Sequence, residues 1–118
     1  MQQSAGYVVA TDVQEGFVDV VVRIDFGNGT VLQKQVQAGK GVTTAFDAVS
    51  QAFVVSSRDY GELGKYVYAV EDVVENQDKN GKYWQYYVDG KLAAVGVSVF
   101  VVEDDVVLDF KYEEPRFG

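Results

Sequence analysis

Between Phe17 and Phe26 the chain alternates: Val18, Val20, Val22, Ile24 and Phe26 fall on one side, and Asp19, Arg23 and Asp25, with Val21, on the other. A period of two with one apolar side predicts a half-buried strand, because successive side chains of an extended backbone point in opposite directions. Gly27-Asn28-Gly29 follows, a tight turn of residues that tolerate positive φ. Thr30 to Gln37 returns as a more polar strand, expected at a sheet edge, with Leu32 and Val36 spaced for one face. The two strands form a hairpin. Gly39-Lys40-Gly41 then breaks the pattern, and Thr44 with Asp47 makes a capping pair. Phe46, Val49 and Phe53, with Ala45 and Ala52, share one stripe, so Thr44 to about Phe53 is predicted as an amphipathic helix on the sheet.

Ser56 to Lys65 is polar and interrupted by glycine, and is expected to be loop. Tyr66 to Val74 is apolar enough for a strand, and Glu75 to Gly81 for a loop. Tyr83 to Val88 predicts a strand with aromatic residues on both faces: Trp84, Tyr86 and Val88 against Tyr83, Gln85 and Tyr87. Asp89-Gly90 is a two-residue hairpin signal. Leu92 to Val102 continues as strand, interrupted at Gly96. Glu103-Asp104-Asp105 turns the chain, and Val106, Leu108, Phe110 and Tyr112 form the inner face of a last strand that ends at Glu113-Glu114-Pro115. The order is hairpin, helix, then strands. It predicts an α+β fold, a β-grasp-like mixed sheet packed on one main helix, with the first and last strands parallel at the centre. The expected domain is 17–114, with 1–16 a linker or loose N-terminal strand and 115–118 a tail.

A length of 118 residues suits one domain, and the Val- and Tyr-rich composition favours strands. Net charge −8 with 10 scattered basic residues argues against a nucleic-acid partner, which needs clustered cations to displace counterions. The same imbalance disfavours docking on anionic lipid. There is no cysteine, hence no disulfide, thiolate nucleophile or thiolate metal site, and no histidine, hence none of the triads that depend on it. Carboxylate pairs are the remaining route to catalysis. Glu103-Asp104-Asp105 qualifies only by composition, and a solvated turn is the expected state of such a run. The chain is therefore expected not to be an enzyme.

No apolar run is long enough to insert in a membrane, and there is no signal peptide. The opening Met1 to Gly6 reads as an expression start on a trimmed segment, so a leader, an anchor or neighbouring domains are expected outside it.

Binding is expected at the aromatic band. A strand carrying Tyr83, Trp84, Tyr86 and Tyr87 can bury one face on the helix, so either Trp84/Tyr86 or Tyr83/Tyr87 faces outward as a stacking platform, unless a loop or the Tyr7–Ala10 segment covers it. The glycine-hinged loop around Tyr60, Tyr60-Gly61-Glu62-Leu63-Gly64, is a second candidate. Asn76, Asp78 and Asn80 before Gly81 have the alternate oxygen spacing of a calcium loop. The closing acid of such a loop falls on Tyr87, so a plain hairpin loop is expected there and no metal site. Asn28-Gly29-Thr30 is a glycosylation sequon already explained by its turn.

The stretch "GKYWQYYVDGKLAAVGVSVFVVEDDVVLDFKYEE", with "GKGVTTAFDAVSQAF" before it, resembles the transcobalamin C-terminal-like domain family of the soluble-ligand-binding β-grasp superfamily. The resemblance rests on Tyr83-Trp84, Tyr87-Val88-Asp89-Gly90 and Val95-Gly96, and spans roughly residues 17 to 114. The last turn departs from it, with Glu103-Asp104-Asp105 where the family commonly has Asp-Gly-Asp. In cobalamin carriers of this kind the domain covers one face of the corrinoid opposite an α/α-barrel domain, which this chain lacks. The resemblance implies a non-enzymatic binding module of a secreted or surface protein, extracellular or at the cell surface. It carries no resident cofactor, and its ligand is a flat small molecule such as a corrinoid. The alternative is a structural or adhesive module contacting another protein domain. The expected state is a monomer or weak dimer.

Overall fold

The computed structural model describes residues 16–115. The expected segment 1–16, Gly16 apart, and residues 116–118 of the tail lie outside the described residues. Strands β1 (Phe17–Asp25) and β2 (Val31–Gly39) run antiparallel in unbroken register from Phe17↔Gly39 to Asp25↔Val31. The alternation of β1 is realised: Val20, Val22 and Ile24 are fully buried. Helix α1 (Ala45–Ala52) starts where expected, with Thr44 Oγ1 accepting from Asp47 N and Asp47 Oδ2 from Thr44 N, both at 3.1 Å. It buries Ala45, Ala48, Val49 and Ala52, so its contact face is narrower in side chain than the predicted aromatic stripe. Phe46 is only half-buried, with Lys65 Nζ 4.3 Å above its ring, and Ala48 takes the inward place.

Five strands form the main sheet, in the order β2-β1-β8-β6-β7, where β6 is Tyr83–Val88, β7 Lys91–Leu92 and β8 Val106–Glu113. The expected parallel pairing of first and last strands is present, from Val20↔Val106 to Asp25↔Lys111. Parallel neighbours need a crossover, and everything from β2 to β7 supplies it. Asp89 (φ 47°) and Gly90 (φ 86°) make the β6–β7 turn in the left-handed region that the Asp-Gly pair predicts. The core lies between this sheet and α1, with Leu108, Phe110 and Trp84 beside the β1 valines. A mixed sheet with one helix, an α+β architecture, is thus the fold.

Three expectations are corrected. Ser56 to Lys65 is not all loop: β3 (Val55–Asp59) pairs with β4 (Lys65–Val70), and β4 with β5 (Val73–Val74), in a separate three-stranded sheet. Backbone pairing, with a register shift between Ser56 and Ser57, holds a strand whose side chains carry no apolar alternation. Tyr66 to Val74 is not one strand, because Glu71 (φ 53°) turns it back on itself. Leu92 to Val102 leaves the sheet after Leu92. Its remainder folds over the start of α1, where Phe100 and Val97 carbonyls accept from Ala45 N (2.9 Å) and Phe46 N (2.8 Å). Those are two of the four amides that a helix start leaves unpaired. Among the described residues no helix is long and apolar enough to cross a membrane.

Candidate functional site

The alternation of β6 sends its aromatic residues to opposite sides. Trp84 is 2% exposed, 5.7 Å edge-on from Phe26 and 5.1 Å from Tyr112, and its Nε1 donates to the Val73 carbonyl at 2.9 Å. Tyr86, on the same side, stacks on Phe110 at 5.6 Å, and its hydroxyl donates to the Val95 carbonyl. Burial pushes that hydroxyl up to about 12. Tyr87 lies on the other face under Lys111 Nζ, 4.8 Å from the ring centre, and its hydroxyl donates to Glu113. Tyr83 shares that face, half-buried and opposite Glu113 in register.

The Trp84/Tyr86 side opens into a cleft of about 270 Å³ between the two sheets. Its floor is Trp84, Tyr86 and Phe110, its far wall Tyr66 and Val67 of β4, and its rim Tyr60, Leu63, Val95 and Gly96. Of the five aromatic residues expected at the site, the structure therefore brings Tyr60, Trp84 and Tyr86 together, and sets Tyr83 and Tyr87 behind the sheet. Trp84 is almost fully buried, so it offers no open stacking face. Tyr60 is 54% exposed at the mouth.

Two glycines set the rim. A Cβ on Gly96 would lie 2.4 Å from the Leu63 carbonyl oxygen, and one on Gly64 (φ 91°) 2.7 Å from Val99 Cγ2. With no side chain at either, the 60–65 and 93–99 segments touch backbone to backbone. Lys65 N donates to Ser98 Oγ at 2.8 Å, and Val97 N to the Lys65 carbonyl at 3.2 Å. Gly96 was visible in the sequence only as a break in an apolar run, and an isolated glycine there signals close approach. Tyr66, Val67 and Phe110 carried no such signal.

The cleft is chemically quiet. None of its lining residues is a carboxylate, and its one cation, Lys65, is held over Phe46. The Tyr66 hydroxyl is raised well above the usual range, first by burial and then by its bond with Glu75, which also pairs with Arg58 at 2.8 Å. The two asparagine oxygens of the calcium-like loop are taken by nearby backbone amides. Asn76 Oδ1 accepts from Gly81 N and Asn80 Oδ1 from Lys82 N, both at 2.9 Å, while Asp78 sits exposed in the left-handed region. Among the described residues no group of three acidic, histidine or cysteine side chains could hold a metal ion. In the acidic turn Asp105 Oδ1 accepts from Asp19 N at 2.9 Å, tying the start of β8 to β1.

Several solved structures share the fold, two of them as follows. Haptocorrin in complex with Cbi superposes with a TM-score of 0.70 at 13% identity, over 97% of this chain and 28% of that one. The chain thus spans under a third of haptocorrin. A "putative metal binding protein" from Ruminococcus gnavus ATCC 29149 superposes with a TM-score of 0.66 at 15% identity, over 84% of this chain and 99% of that one. At these identities the likeness is one of fold. No curated protein sequence matches the chain. Residues 43–114, from the lead into α1 to the end of β8, match the model of a domain of unknown function, DUF4430, and the chain belongs to that family.

Proposed function

We propose that the chain is a non-enzymatic binding module of a secreted or surface protein, built on the β-grasp plan of the transcobalamin C-terminal-like domains. Its ligand site is the cleft between β4 and β6. The observation that carries this reading is the cleft itself: aromatic floor and wall, no carboxylate, and backbone and tyrosine groups on the rim to orient a ligand. At about 270 Å³ it lies just under the roughly 300–1,000 Å³ of complete small-molecule sites. It suits one ring or the edge of a larger flat ligand, such as a corrinoid, whose remainder a second domain holds. The likeness to haptocorrin, of which this fold is 28%, supports that division of labour. With no His or Cys in the chain, and with burial raising the Tyr66 and Tyr86 hydroxyls, the site has no group suited to acid–base work near neutrality.

The test is an amide NMR titration with cobalamin, and with single-ring aromatic and sugar ligands. The expected result is saturable shifts at Gly64, Gly96 and Tyr86. Shifts at none of these with any ligand class, or shifts confined to the Tyr83/Tyr87 face, would overturn it. A second reading draws on the mouth, where Leu63 (78% exposed), Val95 and Val99 stand in solvent beside Tyr60. An apolar rim of this kind suits a structural or adhesive contact with another protein. Shift changes limited to these residues on adding a host-surface protein would favour it.

A further inference from the structure

Among the described residues, strand β2 is an edge without the usual defences. Natural edge strands are kept short, bulged, proline-bearing or studded with charge, because their free backbone groups would otherwise template another strand. β2 has nine residues, no bulge against β1, no proline and one charge, Lys34. That charge does not guard the edge: Lys34 Nζ reaches inward to the Ala52 carbonyl at 2.9 Å and lies 5.0 Å from the Phe53 ring centre. Among the described residues, β1 is the only sheet neighbour of β2.

The pairing pattern says which residues face out. Phe26 N donates to the Thr30 carbonyl at 3.1 Å, so 26/30 is a bonded pair, as are 24/32, 22/34 and 20/36 by alternation. The even residues of β2 are thus committed to β1, while Val31, Gln33, Gln35 and Gln37, all exposed, aim their N–H and C=O groups away from the sheet. The three glutamines of this outward row are symmetric about Gln35. In a chain of net charge −8, the stretch from Phe26 to Phe46 also contains no Asp or Glu. A second copy is repelled least here.

We infer that β2 is the joining edge of a two-fold symmetric homodimer, antiparallel to β2 of a second copy, with Gln35 opposite Gln35 and Gln33 opposite Gln37. The two five-stranded sheets become one continuous sheet. Like amides then meet across the seam, where side-chain hydrogen bonds add to the backbone ladder. Because the cleft is bounded by β6 and β7 at the far end of the sheet order, dimerisation leaves it open.

Sedimentation from roughly 10 µM to 1 mM, the range in which a weak contact titrates, is expected to show the mass rising from 13.0 kDa toward twice that value. Gln35→Pro removes only an outward N–H and is expected to weaken association at least ten-fold, with Trp84 emission unchanged as the sign of an intact fold. Register is tested by single cysteines, since the chain has none of its own. Bonded antiparallel partners lie about 5.5 Å apart at Cα, within disulfide reach. Gln35→Cys is expected to cross-link on mild oxidation and Gln33→Cys not to. A wild type that stays monomeric at the highest concentration, a folded Gln35→Pro that pairs as well as wild type, or equal cross-linking at both positions would each overturn the assignment.

Discussion

The two faces of β6 carry the same kinds of residue and do different things. On one, Trp84 and Tyr86 meet the apolar core, aromatic rings, carbonyl oxygens and the cleft. On the other, Tyr87 is packed among charges: Lys111 over the ring, Glu113 at the hydroxyl, and Asp109 beyond, paired with Arg23 at 3.4 Å. An aromatic ring in a strand is therefore no pointer to a ligand by itself. What distinguishes a binding face is open volume bounded by apolar surface, and here that comes from neighbours remote in sequence: the 60–67 and 93–97 segments.

Substitutions test the contrast, the largest effect first. Trp84→Ala removes the largest fully buried side chain and is expected to cost about 3–5 kcal/mol in denaturant unfolding, against about 1 kcal/mol or less for Tyr83→Ala. Equal costs would erase the difference between the faces. Gly96→Ala forces a methyl against the Leu63 carbonyl and is expected to cost about 1–3 kcal/mol, while shifting the amide signals of residues 60–65 and leaving those of Tyr83 and Tyr87 in place.

Tyr86→Phe is expected to cost roughly 1 kcal/mol near neutrality, for the lost bond to Val95. It also has a pH signature. The folded hydroxyl ionises at about 12, and the unfolded one near 10. Protons are thus held more tightly in the native state, so the stabilising contribution is complete below the unfolded value and disappears as pH rises through the folded one. In Tyr86→Phe the alkaline loss of stability between those limits is expected to be shallower, followed by circular dichroism. The smallest effect is expected for Lys111→Gln on the charged face, about 0.5 kcal/mol, read by thermal unfolding.

Where one rule governs a residue, the sequence was enough. The β1 and β8 alternations, the Thr44/Asp47 cap and the Asp89-Gly90 turn each follow from local chemistry, and each stands where it was expected. The pairing of Trp84 with Tyr86 on one face followed from the period of two, but which face met the core did not, since both carry aromatics. β3 was illegible because Ser56, Ser57 and Arg58 are held by backbone bonds to β4, which leave no mark in side-chain pattern. The run after Leu92 misled because its valines divide between two surroundings. Val97 and Val102 are buried while Val95, Val99 and Val101 are exposed, a spacing set by the contacts with Gly64 and the helix start.

The parallel pairing of β1 with β8 has a mechanical consequence. The first and last strands of the domain lie side by side and point the same way, so their outer ends, Phe17 and Glu113, lie toward opposite ends of the sheet. Tension applied through the two ends of the domain pulls these strands past each other along their length. The six register pairs from Val20↔Val106 to Asp25↔Lys111 then share the load as a shear, whereas a terminal hairpin would be opened one bond at a time. A pull through these two strand ends is therefore expected to meet more resistance than one that opens a terminal hairpin.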